Sequence, residues 1–191
     1  MNQKSIGIII AFLATIIVMS PLIGAAVAKN VKNKENNVTY ELVVYLLGPS
    51  EVTLRDDSGA PELIIREGFC PIESIFAVNA IIDDVSYSYP EDFTYEHSFH
   101  LEYNAITLET NWEIEVVLTF NLPGNPTITD WCVTQGTNVD YPNQITEGTI
   151  TLTGTGIFDK VKGVGMEEAW FTGVGEIFFA HRVGVMKGWP L

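Results

Sequence analysis

The sequence predicts one all-β domain, an antiparallel β-barrel of about eight strands, with a two-sheet β-sandwich as the alternative. The first observation behind this prediction is the alternation of apolar and polar residues from Tyr95 to Tyr103 and from Trp112 to Phe120. Such alternation is typical of strands with one buried face. The second observation is three Gly-x-Gly doublets, at 154/156, 163/165 and 173/175, with β-branched and aromatic segments between them. Their spacing suits strand–turn–strand units.

The N-terminus reads as an export signal. The apolar run from Ile6 to Ala28 ends in the small residues Ala26-Val27-Ala28, a cleavage pattern. Residues 1–28 are therefore predicted to form a hydrophobic signal helix, and the run is also long enough to be an uncleaved membrane anchor. A polar linker over 29–37 and a β-barrel domain over 38–191 follow. The domain is expected outside the cell or on its surface, with membrane contact only through the N-terminal segment.

Composition excludes some classes of partner and gives little support to others. The 191 residues include 10 Lys and Arg against 24 Asp and Glu, a formal net charge of −14. Such an acidic protein repels phosphate backbones, so nucleic acid is not an expected partner. The sequence contains no Gly-x-Ser-x-Gly, no His-Glu-x-x-His and no phosphate-binding glycine loop. We therefore predict no cofactor and no metal site, and favour a binding protein over an enzyme.

Strands can be assigned along the chain from β-branched and aromatic runs that end at Gly, Pro, Asn or Asp. The predicted strands cover 38–47, 51–55, 62–67, 71–83, 95–103, 112–120, 146–152, 156–162, 165–172 and 175–185. Segments 84–91 and 121–143 are rich in turn-forming residues and are predicted to be loops. A loop as long as the second is unusual without a function.

The two cysteines and one sequon add expectations about processing. In an exported protein Cys70 and Cys132 are expected to pair as a disulfide. This bond would fasten the long loop that contains Cys132. Asn37, in Asn-Val-Thr, is the candidate glycosylation site, because the Asn125 sequence is blocked by proline.

The histidines are candidate acid–base and metal-binding groups. His97 and His100 lie three apart and point to opposite faces of a strand, so the pair is a poor metal site. His97 lies on the aromatic inner face, where it could be a structural residue, a polar anchor for a ligand or an acid–base group. His100 shares the outer face with Glu96 and Glu102. The pair Glu167-Glu168 is interpreted as a hairpin tip.

One segment resembles a known group of proteins. The run Gly154-Thr-Gly-Ile-Phe-Asp-Lys-Val-Lys-Gly-Val-Gly165 is similar to a glycine-rich pattern of dirigent and allene-oxide-cyclase-like proteins. This resemblance implies a small calycin-like barrel of about eight strands with an apolar cavity. It covers one short segment, and no catalytic residue of those proteins can be matched in this chain.

Three functions follow as hypotheses. The first is an exported, non-catalytic barrel that holds a small apolar or amphipathic ligand. The predicted ligand-binding residues are His97, Phe99, Tyr103, Trp112 and Phe158. The second is a cell-surface structural or interaction module with a filled core. The third is a barrel-type isomerase or cyclase that uses His97 or a buried tyrosine.

Overall fold

The structure is a computed structural model and describes residues 37–47, 51–56, 62–107, 109–137, 144–172 and 177–190. The predicted signal or anchor, 1–28, and all of the linker except Asn37 lie outside the described residues. Within the ranges that are described, no helix is long and apolar enough to cross a membrane.

The described residues form eleven strands and two short 3-10 helices, so the all-β prediction is confirmed. The strands are β1 Val38–Leu47, β2 Glu51–Asp56, β3 Leu63–Phe69, β4 Ile75–Ile82, β5 Val85–Ser88, β6 Phe93–Asn104, β7 Glu109–Phe120, β8 Thr127–Thr137, β9 Gln144–Gly154, β10 Lys162–Thr172 and β11 Ile177–Lys187. The 3-10 helices are Ile72–Ser74 and Gly156–Phe158.

All eleven strands belong to one antiparallel sheet in the order β2-β3-β6-β7-β8-β9-β10-β11-β1-β4-β5. The sheet curls strongly into a half-barrel, so the barrel prediction is confirmed in part, whereas the prediction of about eight strands is wrong because the sheet has eleven. Pairing is incomplete at β6, because β3 pairs only with its second half, from Ser98 onward. The Cys70 N–H still donates to the His97 carbonyl at 2.8 Å, and Pro71 then turns the chain away. Among the described strands, the start of β6 therefore pairs only with β7.

Three segments differ from the predicted assignment. β5 lies in the predicted loop 84–91, and β8 fills much of the predicted loop 121–143. The predicted strand 156–162 is instead a 3-10 helix and a turn, because Gly156 adopts a φ of 63° that breaks an extended chain. The ambiguous segment 71–83 does contain a strand, β4, after its 3-10 turn.

The core fills the concave side of the sheet. The odd-numbered residues of β6 and the even-numbered residues of β7 point into this core, as the alternation predicts. An aromatic cluster closes one end, where the Phe158 ring stacks on Trp189 at 4.5 Å and meets Phe120 edge-on at 5.2 Å. Phe120 also contacts Phe93 at the start of β6.

Close strand approach at one glycine gives a first testable prediction. Gly165 of β10 pairs in register with Gly184 of β11, and a Cβ at Gly165 would overlap the Val183 carbonyl. Because that neighbour is backbone, Gly165→Ala should lower the free energy of unfolding by about 1–3 kcal/mol. Urea denaturation measures this change. The control is Gly124→Asn, since Gly124 has open space and a φ of 84° that asparagine tolerates. An equal loss in both variants would contradict the argument.

Candidate functional site

A cluster of buried charged and polar side chains lies at the centre of the half-barrel. Arg182 points inward from the middle of β11, directly beside Glu167 of β10. Its Nε donates to Glu167 Oε2 at 2.6 Å, and its guanidinium forms an ion pair with Asp130 Oδ1 of β8 at 3.1 Å. The three residues are at most 2% exposed. We call this group, together with Tyr40, Cys132 and Thr134, the Arg182 cluster.

Three neutral side chains donate hydrogen bonds to the two carboxylates. The Tyr40 hydroxyl of β1 donates to Asp130 Oδ2 at 2.8 Å. The Cys132 thiol and the Thr134 hydroxyl both approach Glu167 Oε1, at 3.2 and 3.4 Å. The sequence provides the space with Gly148 of β9, where a Cβ would overlap the Thr134 hydroxyl and the Cys132 sulfur. Four strands thus converge on one arginine.

Protonation in the cluster follows from burial and charge. Burial raises the pKa of Asp130, and the Arg182 charge opposes that rise. Burial alone would lower the pKa of Arg182, but Asp130 and Glu167 outweigh it, so the guanidinium stays charged. Burial, together with the Glu167 charge, raises the pKa of Cys132 to about 12. The thiol is therefore a proton donor to Glu167 and not a nucleophile near neutral pH.

A cleft of about 610 Å³ opens beside the start of β6. One wall is the last residue of β3, Phe69, with the segment after it, Cys70, Pro71 and Ile72, and the other is the turn after β5, with Tyr89 and Pro90. The remaining lining residues come from β6 and β7: Thr94, Tyr95, Glu96, His97, Ser98, Glu115 and Val117. The cleft exists because Pro71 diverts the chain before β3 can cover β6.

His97 is a buried polar residue in the cleft lining. Its Nδ1 is hydrogen-bonded to the Tyr95 hydroxyl at 2.9 Å, and its ring meets Phe178 edge-on. Burial, together with the Arg182 charge, lowers the pKa of His97 to about 3, so the imidazole is neutral at physiological pH. Among the residues described, Tyr95 is the hydrogen-bond partner of the imidazole. His97 remains 7% exposed, and this exposed part lines the cleft.

Of the five predicted ligand-binding residues, His97 lines this cleft and the other four lie elsewhere among the described residues. His97 lies in the cleft, while Phe158 belongs to the aromatic cluster at the end of the half-barrel. Phe99 and Trp112 contact each other at 6.4 Å, and Tyr103 lies near the far end of β6, opposite Thr110. The alternation predicts the correct inward face of β6 and β7, and ligand binding by these residues stays a prediction.

The predicted disulfide is wrong, since both cysteines are free. Cys132 lies inside β8, where it donates to Glu167, and not in a loop. Cys70 follows β3 in the cleft wall, where burial raises its thiol pKa to about 11. Cys132 on β8 lies in register with Ile114 on β7, Phe99 on β6 and Gly68 on β3. Three strand spacings therefore separate Cys132 from Gly68, about 14 Å measured across the strands, and Cys70 lies two residues beyond Gly68. A disulfide needs Cα atoms within about 7 Å.

Sequence reasoning missed the Arg182 cluster. Glu167, interpreted as part of a hairpin tip, lies in the interior of β10 with its carboxylate buried. A usable signal was present, because Arg182 is the one cation within the apolar run from Ile177 to Met186. An arginine in a buried strand requires buried acids nearby. The other predicted feature, Asn37, lies just before β1, and its glycosylation stays a prediction.

His100 on the outer face gives a second testable prediction. Burial lowers its pKa, but hydrogen bonds to Glu67 at 3.0 Å and Glu102 outweigh burial, so the pKa is raised from 6.5. Because the pKa of His100 is higher in the folded state than in the unfolded state, its interactions with Glu67 and Glu102 stabilise the fold fully at pH values below the unfolded pKa. This stabilisation is lost as the pH rises through the folded pKa. His100→Gln should therefore cost about 0.2–1 kcal/mol in mildly acidic buffer and less in alkaline buffer. Urea titrations at both pH values measure the difference. An equal cost at both would contradict it.

Comparisons with known proteins identify no relative. A scan against protein-family models gives no match to this chain. Searches of curated proteins and of solved structures give none either. The resemblance of segment 154–165 to dirigent and allene-oxide-cyclase-like proteins therefore stays a prediction.

Proposed function

We propose that this protein is an exported, non-catalytic binding protein that holds one small amphipathic molecule in the cleft beside β6. The supporting observation is the neutral His97 imidazole, whose Nδ1 is fixed by Tyr95 and whose ring lines a cleft of about 610 Å³. Ligand pockets commonly measure about 300–1,000 Å³ and combine apolar walls with a few fixed polar groups. Export rests on the N-terminal apolar run.

The lining favours a particular ligand chemistry. Phe69, Pro71, Ile72 and Pro90 offer apolar and aromatic surface for the ligand body. When the Tyr95 hydroxyl donates to Nδ1, the neutral ring presents an N–H at Nε2, which suits a carbonyl, ether or hydroxyl oxygen. Glu96 and Glu115 lie in the same lining and disfavour anions. The ligand is therefore a neutral or cationic molecule with one oxygen acceptor near an apolar body.

A barrel-type isomerase or cyclase is the weaker alternative. General bases work best when their pKa lies near the working pH. The His97 pKa of about 3 makes its imidazole a weak base at neutral pH. Tyr95 has a pKa well above its usual value, because burial disfavours the phenolate, so it is a weak acid. The dyad is suited to hydrogen bonding rather than proton transfer.

Native mass spectrometry of the protein recovered from its own host tests the proposal. We expect a mass above that of the processed polypeptide, with the excess released as one discrete small molecule on activation. A glycan at Asn37 would instead remain on the denatured chain. A native mass equal to the denatured mass would contradict the proposal.

Matched variants locate the ligand. Ile72→Lys places a charge in the cleft wall at a residue that is 74% exposed, so the fold should persist. We expect this variant to lose the bound molecule. Ile106→Lys changes a residue of similar exposure in the turn after β6, outside the cleft lining, and should keep it. Retention of the molecule by both variants would place the ligand elsewhere.

A further inference from the structure

The convex face of the sheet has an apolar band across four strands, β8 to β11. On β10 the outward side chains Val164 and Met166 are 62% and 54% exposed, and Trp131 on β8 is 39% exposed. Their neighbours in register complete the band: Val133 on β8, Thr149 and Thr151 on β9, and Val183 and Val185 on β11. An apolar area of this kind on a soluble domain marks an interaction surface. We call it the convex band.

Charges of opposite sign lie at the two ends of the convex band. At one end Lys162 of β10 pairs in register with Lys187 of β11. At the other end, six residues further along β10, Glu168 pairs in register with Glu147 of β9. Like charges directly opposite each other in a sheet are unfavourable. A basic pair is also notable in a chain with 10 basic and 24 acidic residues.

This arrangement is self-complementary under a two-fold rotation. We propose that the convex band is the interface of a homodimer, in which a second copy of this chain packs face to face across it. A two-fold axis between the sheets and nearly perpendicular to β10 puts the Lys162–Lys187 end of one copy against the Glu147–Glu168 end of the other. Val164 and Met166 lie midway between these ends, so they pack against the same residues of the partner.

Strand geometry agrees with this packing. The basic pair lies on β10 and β11 and the acidic pair on β9 and β10, so the two pairs are offset by one strand. Superposing the basic pair of one copy on the acidic pair of the other tilts the two-fold axis slightly. The strands of the two copies then cross at about 30°, the usual angle between aligned packed sheets. Glu113 and Glu115 of β7 lie beside Val133 and Trp131 in register, at the outer edge of the convex band. Acid–acid repulsion between the copies is therefore confined to the rim.

The area of the convex band determines how tightly the two copies are expected to bind. Three to four strands over seven residues give a flat area of about 300–450 Å² per copy. Stable interfaces bury about 800 Å² per partner, so the dimer should be weak and reversible. The net charge of −14 on each copy adds long-range repulsion, and moderate salt should screen that repulsion.

Sedimentation velocity over a concentration series, on the protein as its host processes it, tests this inference. The unmodified protein should move from monomer to dimer as concentration rises. Val164→Asp should raise the dissociation constant at least about tenfold, because it buries a carboxylate at the two-fold contact. The control Ile157→Asp changes a residue of 53% exposure in the 3-10 turn, outside the convex band, and should leave the constant unchanged.

A charge swap tests the register of the two copies. With the two pairs superposed, Lys162 faces Glu147 of the second copy. Lys162→Glu alone and Glu147→Lys alone should therefore each weaken the dimer, because each places like charges opposite one another. The double variant should recover dimerisation, since it restores opposite charges across the axis. A protein that stays monomeric throughout the series overturns the inference. A dimer indifferent to Val164→Asp, or a double variant no better than the singles, overturns it as well.

Discussion

Replacing Arg182 with methionine should destabilise the folded protein by about 3–5 kcal/mol. The change leaves the carboxylates of Asp130 and Glu167 buried without their cation, in a part of the core that is at most 2% exposed. Each carboxylate must then be protonated or draw water into the core, and both responses cost free energy. Urea denaturation followed by tryptophan fluorescence measures the loss.

The matched control removes all three charges together. Arg182→Met combined with Asp130→Asn and Glu167→Gln leaves no buried charge, while Tyr40 and Thr134 keep hydrogen-bonding partners. We expect the triple variant to be clearly more stable than Arg182→Met alone, since removing a whole buried ion group is often near neutral. A single variant that loses less than about 1 kcal/mol would show that the carboxylates need no cation.

Phe158→Ala should cost about 3–5 kcal/mol, the second large effect. The ring is 2% exposed and lies between Trp189 at 4.5 Å and Phe120 at 5.2 Å. Its removal leaves a cavity that the neighbouring rings cannot fill, because both are held by their own strands or turns. Thermal and urea denaturation measure the change.

Phe76→Ala is the control for this prediction. Phe76 is 66% exposed, and its ring contact is with Tyr45 at 5.8 Å on the outer side of the sheet. Truncating it should change the free energy of unfolding by less than about 1 kcal/mol. Similar losses in both variants would mean that the aromatic cluster is not the closed end of the core.

Much of the fold could be predicted from local pattern. The alternation in β6 and β7 is visible because apolar residues occupy the inner face and polar residues the outer one. β8 was missed because its inner face includes Asp130, Cys132 and Thr134, which hide the alternation. Those polar residues are inward because Arg182, on a strand at the far end of the sequence, requires them.

The candidate site was predictable only in part. His97 was found because its place on the inner face of β6 follows from strand period alone. The cleft that it lines depends on where Pro71 turns the chain away, which is a matter of tertiary pairing between β3 and β6. Register between distant strands cannot be read from one sequence, and the Tyr40–Asp130 contact spans 90 residues.

The pairing of β1 with β11 has a consequence for the order of folding during synthesis. β1 is the first described strand, and one of its two neighbours in the sheet is β11, the last described strand, with Val38 opposite Met186. β1 must therefore wait, with one edge unpaired, until β11 has been synthesised. Such end-to-end pairing slows folding. A nascent chain halted before β11 is complete would present that edge to chaperones or to other copies of itself.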